Sequence, residues 1–170
     1  MSSRAPVLRN VARARPRGGP DYGPLIRAAR AARRCAYAPY SHFPVGAAVL
    51  AADGSIYAGA NVENASFGLT QCAERVAVQT AVASGRRRIR AVAVAGPAGI
   101  TPCGACRQVM AEFGVRTVVL AGSGGSARVL RLAELLPRAF GARALAAARA
   151  PSAARTPSRA GHRRARRAGL

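Results

Sequence analysis

The sequence predicts an α/β protein, a three-layer α/β/α sandwich built around a mixed sheet of about five strands. Five short apolar runs, at 45–51, 56–61, 89–95, 116–121 and 127–132, have strand length. Segments with helical periodicity lie between several of them, and Gly, Pro and Asp residues punctuate the joins. At 170 residues, half of them hydrophobic, the chain can bury one sizeable core.

Taken in order, Leu25, Ile26, Ala29, Ala32 and Ala36 recur at helical spacing, and that helix stops before Pro39. Residues 45–51 form a strand, Asp53-Gly54 is a hairpin signal, and 56–61 is the returning strand. A helix over 72–84 ends at Gly85. The strand at 89–95 leads to Thr101-Pro102, which reads as an N-cap with proline at the first helical position, opening a helix to about 113. Two strands joined by the turn at 122–125 complete the series. Strands separated by helices are expected to run parallel and hairpin partners antiparallel.

Composition divides the chain into a basic arm (1–20), one folded domain (21–145) and an arginine-rich tail (146–170), both ends being expected to lack order. All 27 basic residues are arginine, and the net charge is +21. The first twenty residues hold five arginines, the last twenty hold six, and neither stretch contains an acid. Such charge predicts salt-sensitive, non-specific attraction to nucleic acid through the tails rather than a specific partner. Four cysteines without a secretory leader point away from a disulfide framework, and no apolar stretch reaches a membrane span of about 20 residues. The acid-free start loosely fits an organellar transit segment; a cytoplasmic location is the expectation.

Cys103 and Cys106 form a Cys-x-x-Cys, which alone suits a redox pair, half of a structural zinc site or two buried thiols. Cys72-Ala73-Glu74, near the start of the preceding helix, sharpens it. Three cysteines then come from two helix starts, where free N–H groups and the helix dipole favour thiolate. Three ligands leave one tetrahedral position open, as catalytic zinc sites do. Zinc with three thiolates is net negative, so cationic neighbours are needed to hold its water near a useful acidity; Arg75 and Arg107 are the candidates. Glu74, two positions after a ligand, can face the open position and carry protons. Cys35 is read as a single buried thiol, His42 as a surface or packing residue, and His162 as tail.

Cys-x-Glu followed by Pro-Cys-x-x-Cys is the zinc-deaminase pattern. Together with AYAPYSHFPVGAAVL (36–50), GANVENASF (59–67), CAERVAVQTAVASG (72–85), PCGACRQVMAEFG (102–114) and ELLPRAF (134–140), the chain resembles the small homotetrameric cytidine deaminases over residues 22–141. That resemblance implies zinc held by Cys72, Cys103 and Cys106, with Glu74 as the proton shuttle for attack of zinc-bound hydroxide at C4 of the base. It implies that cytidine and deoxycytidine become uridine and deoxyuridine with loss of ammonia. Arg75 matches an arginine that bonds the ligand sulfurs. Phe43, Asn61, Val62 and Glu63 match substrate contacts, Asn61 and Glu63 at the ribose hydroxyls. Phe140 matches an aromatic supplied by a neighbouring subunit. No organic cofactor is implied. Asn61 and Glu63 favour a plain nucleoside over an aminonucleoside antibiotic, and Glu63 disfavours a phosphorylated substrate. Four Phe, four Tyr and no Trp, most within these motifs, leave no visible stacking platform for editing a polynucleotide.

Overall fold

The computed structural model describes residues 20–122 and 125–149. The expected arm, apart from Pro20, and the tail beyond residue 149 lie outside them. The first compact unit closes at Phe140. Its elements are α1 (Gly23–Arg33), β1 (Gly46–Ala51), β2 (Ile56–Ala60), α2 (Ala73–Ala83), β3 (Ile89–Ala95), α3 (Gly104–Glu112), β4 (Thr117–Ala121), β5 (Ala127–Arg131) and a one-turn α4 (Leu132–Leu135).

The five strands make one sheet in the order β2-β1-β3-β4-β5. β3 and β4 pair in parallel, and every other neighbouring pair is antiparallel. β2, β3 and β4 therefore run the same way, as expected of strands separated by helices, although β1 lies between β2 and β3. Ala60, Gly46, Ala95, Ala121 and Ala127 form a row across one end of the sheet. That end carries the carboxyl termini of the three co-directional strands, where open α/β sheets place their sites.

Side chains alternate across the sheet, and the two faces differ in bulk. On one face Ala48, Ala91, Ala93, Ala95, Val119 and Ala121 meet Leu25 and Ala29 of α1. On the other, Ala47, Val49, Val92, Val94, Val118 and Leu120 pack with Ala77 and Val78 of α2 and with Cys106 and Met110 of α3. Three layers result, with one helix above the sheet and two below. Gly46 lets α1 approach closely, since a Cβ there would lie 2.1 Å from the Ala29 carbonyl oxygen and 2.3 Å from the Arg33 nitrogen. Gly59 serves α2 in the same way, with a Cβ falling 2.5 Å from the Ala77 nitrogen.

Two local expectations are corrected. The third helix starts at Gly104, with Cys103 in extended backbone at its N-cap, so neither Thr101 nor Pro102 belongs to it. Helix α1 ends at Arg33, which puts Cys35 beyond the helix and exposed rather than buried. A helix α5 (Ala142–Arg149) lies in the second compact unit. Alanine is the strongest helix former, so a segment with little to bury can still be helical. Among the described residues, no helix is long and apolar enough to cross a membrane.

Candidate metal centre and active site

Cys72 and Cys103 occupy equivalent places. Each is the N-cap of a helix, with φ and ψ of −71° and 149° for Cys72 and −68° and 169° for Cys103. Neither thiol bonds back to its helix as a Ser or Asp cap would, so both sulfurs project from the positive helix ends. Cys106 follows in the first turn of α3 and is fully buried. The three Sγ atoms lie within 4.8 Å of one another. Cys72 Sγ is 4.0 Å from Cys103 Sγ, which is 3.5 Å from Cys106 Sγ. Tetrahedral zinc with bonds of about 2.3 Å separates its sulfurs by about 3.8 Å, a value these two distances bracket. The donor set fits zinc.

Electrostatics around the sulfurs favour a charged site. Hydrogen bonding from Cys106, with help from Arg75 and Cys103, holds the Cys72 thiol down to about 5. The same shared hydrogen bond, together with burial, pushes the Cys106 thiol up. Arg75 donates from one terminal nitrogen to the Thr70 carbonyl at 2.8 Å and to Cys72 Sγ at 3.8 Å. Its Nε is buried without a hydrogen-bond partner. Arg107 does not share this role. Its Nε donates to the Pro102 carbonyl and a terminal nitrogen to the Leu135 carbonyl, both at 2.8 Å. The guanidinium that sequence adjacency offered to the sulfurs is spent instead on joining the Cys103 loop to α4.

Glu74, the second residue of α2, is 5% exposed. Burial is the main cause raising its carboxyl above the ordinary range, and the nearby Cys72 sulfur adds to it. A buried carboxyl with its affinity for a proton raised in this way can hold and release one.

Residues 61–63 run between two other backbone segments, bridged through Val62 to Tyr37 and Gln71. The Tyr37 nitrogen bonds the Asn61 carbonyl, and the Glu63 nitrogen bonds the Tyr37 carbonyl. Val62 exchanges both backbone bonds with Gln71, the residue before Cys72. The expected sugar contacts are therefore tied directly to the residue before Cys72. Asn61 is buried, its Oδ1 accepting from the Val45 nitrogen at 2.8 Å and its Nδ2 donating to the Phe43 carbonyl at 3.0 Å. Glu63 accepts from the Tyr40 nitrogen at 2.9 Å, from the Ser41 nitrogen at 3.2 Å and from the Ser41 hydroxyl. Both side chains thus shape the 40–45 loop that presents Phe43, a connection no local motif reveals. His42 turns that loop with φ 53°, a left-handed conformation that is uncommon outside glycine.

The last element is a clamp absent from the sequence reading. The Gln108 carboxamide accepts from the Phe140 nitrogen at 3.1 Å and donates back to the Phe140 carbonyl. The Phe140 ring remains exposed.

Residues 23–122 match the profile of the cytidine and deoxycytidylate deaminase zinc-binding region. The chain belongs to this family. A cytidine deaminase of Sporosarcina psychrophila is 49% identical over 126 residues, covering 71% of this chain and 91% of that protein. One from Mycobacterium tuberculosis is 43% identical over 123 residues, covering 71% and 90%. The crystal structure of cytidine deaminase from Burkholderia pseudomallei superposes with a TM-score of 0.66 at 53% identity, over 69% of this chain and 97% of that one. The matched family profile is a zinc-binding region, and the Cys72, Cys103 and Cys106 cluster could hold such an ion.

Proposed function

We propose that this deaminase hydrolyses cytidine and deoxycytidine to uridine and deoxyuridine with release of ammonia, working as a cytoplasmic homotetramer. The observation that carries this reading is the meeting of three thiols from two helix N-caps with one buried carboxylate, Glu74. Cys72, Cys103 and Cys106 would hold zinc as thiolates, and bound zinc supplies a water acidified towards neutral pH. Glu74 takes one proton from the attacking water and passes it to N3 of the cytosine ring, then carries the second proton of that water to the exocyclic nitrogen, which departs as ammonia. Arg75 offsets the negative charge of the sulfurs from within the same helix turn.

Asn61 retains one N–H and one lone pair beyond its two loop bonds, and Glu63 retains free lone pairs on Oε1. These are suited to neutral ribose hydroxyls, while the Glu63 charge repels a phosphate. Val62 and Phe43 offer exposed apolar surface beside them for the nucleoside. Phe140 contributes its ring to a neighbouring subunit's site. Assembly is supported by the exposure of Phe67 (75%), Leu69 (64%) and Phe140 (59%), apolar side chains that a monomer leaves in water. The folded domain is taken as 21–145, flanked by the arginine-rich ends.

The direct experiment follows the loss of cytidine absorbance on adding purified protein, before and after zinc chelation, with metal analysis of the parent and of Cys103→Ala. One zinc per chain, lost together with turnover in the variant, is the expected result. An active enzyme that contains no zinc overturns the reading.

A further inference from the structure

The end of the sheet opposite the cysteines carries an arginine-lined groove. A cavity of about 830 Å³ is lined by Arg87, Arg88, Arg90 and Arg116, with Glu112 as its one acidic wall residue. A second cavity of about 410 Å³ shares Arg87, Arg88 and Ala52 with the first and extends to Arg86 and Asp53. The two adjoin at Ala52, Arg87 and Arg88, just before the start of β3. Arg86 is neutralised by Asp53 through a 2.6 Å ion pair. Among the described residues the other ion pair joins Arg131 and Glu134, so Arg87, Arg88, Arg90 and Arg116 have no carboxylate of their own. All four are exposed.

Clustered unpaired guanidinium groups around one concavity repel each other and concentrate anions. Guanidinium forks match phosphate oxygens two at a time. A groove spanning two joined cavities is longer than one phosphate needs, which favours a chain of phosphates over a single one. Pro20 lines the same groove, and five arginines precede it in the sequence.

We propose that this groove binds the phosphate backbone of a single-stranded nucleic acid, without base readout. Its position at the amino ends of β3 and β4, with the cysteines beyond the opposite ends, leaves the nucleoside site free. The deaminase would thus be held on a polynucleotide while its substrate remains the free nucleoside.

The test uses the full-length zinc enzyme and a fluorescein-labelled oligothymidylate, followed by anisotropy across a salt series. Three proteins are compared: the parent, R87Q/R88Q/R116Q, and a control of equal charge loss, R27Q/R128Q/R143Q. Each phosphate contact on a single strand contributes about 0.7 to the slope of log affinity against log salt, so the groove variant should be shallower by about 2. Its affinity at low salt should fall more than tenfold, while the control falls less than threefold and cytidine turnover stays unchanged in both. Ultraviolet crosslinking of the parent to the same oligonucleotide should label peptides containing residues 87–90 and 116. Equal losses in the two variants, parental affinity in the groove variant, or crosslinks confined to other peptides would each overturn the proposal.

Discussion

Gln108 and Phe140, 32 residues apart, pair like neighbours in a sheet, the side-chain amide of one standing in for a strand opposite the backbone of the other. Helix α3 thus carries Cys106 of the thiol cluster and, two residues on, the group that fixes Phe140. Arg107, between them, holds Leu135 from the same helix. The cysteine cluster and the 135–140 segment are consequently joined through α3.

Gln108→Ala should release Phe140 while leaving zinc in place. Each lost hydrogen bond contributes about 0.5–1.5 kcal/mol, so kcat/KM should fall about tenfold, mostly through KM. Adding Phe140→Ala to it should cost little more, because both changes remove the same aromatic contact. Steady-state kinetics of the two single variants and the double variant check this, and additive losses would uncouple the pair.

Glu74→Gln should preserve the fold and the zinc content but reduce turnover by about 10²–10⁴-fold, since an amide of the same shape carries no proton. Metal analysis alongside kinetics is the measurement. Turnover within tenfold of the parent would remove Glu74 from proton transfer.

Gly46→Ala adds a single methyl where backbone atoms of α1 stand 2.1–2.3 Å away. Backbone yields less readily than a side chain, so α1 must lift from the sheet, at a cost of about 3 kcal/mol or more. Chemical denaturation should show that loss, or the variant should accumulate insoluble. Gly54→Ala is the contrasting case. No atom lies within 4 Å of the added methyl, but the backbone there has φ +90°, so its smaller penalty reports conformation alone.

Asp53 is held down to about 2 from an ordinary 3.8, first by the Ser55 hydroxyl and backbone N–H and then by Arg86. A carboxylate depressed in the folded state stabilises fully above its unfolded value and loses that contribution as pH falls through the folded one. The difference in denaturation midpoint between the parent and Asp53→Asn should therefore be constant above about pH 5 and shrink towards pH 2. It should also diminish in high salt, because the Arg86 pair is exposed. A difference that grows on acidification would contradict this assignment.

Much of this was legible in the sequence because the signals are local. The strand at Ile89–Ala95 and the glycine stop after α2 follow from apolar runs and punctuation. The cysteine cluster follows from spacing within two motifs. What escaped depends on chemistry that competes with local preference, or on distant partners. Thr101 is the better helix cap by propensity, yet the cap falls at Cys103, which places its thiol beside that of Cys72. Arg107 follows Cys106 in sequence, but its helical position turns it to Pro102 and Leu135. Gln108 shows nothing by itself, because its meaning lies in Phe140.

The alanine-lined side of the sheet has a consequence for how this protein tolerates change. Truncation of a large buried side chain is the commonest way to damage a core, and it is almost unavailable where Ala48, Ala91, Ala93, Ala95 and Ala121 are already near the minimum. Damage there must come from growth, with each added methylene pressing α1 outward. Beneath α2 and α3, Val49, Val92, Val94 and Val118 expose the protein to the opposite hazard, the empty space left by a lost methyl group. Sequence drift in this family member should thus be limited by crowding on one side of the sheet and by voids on the other.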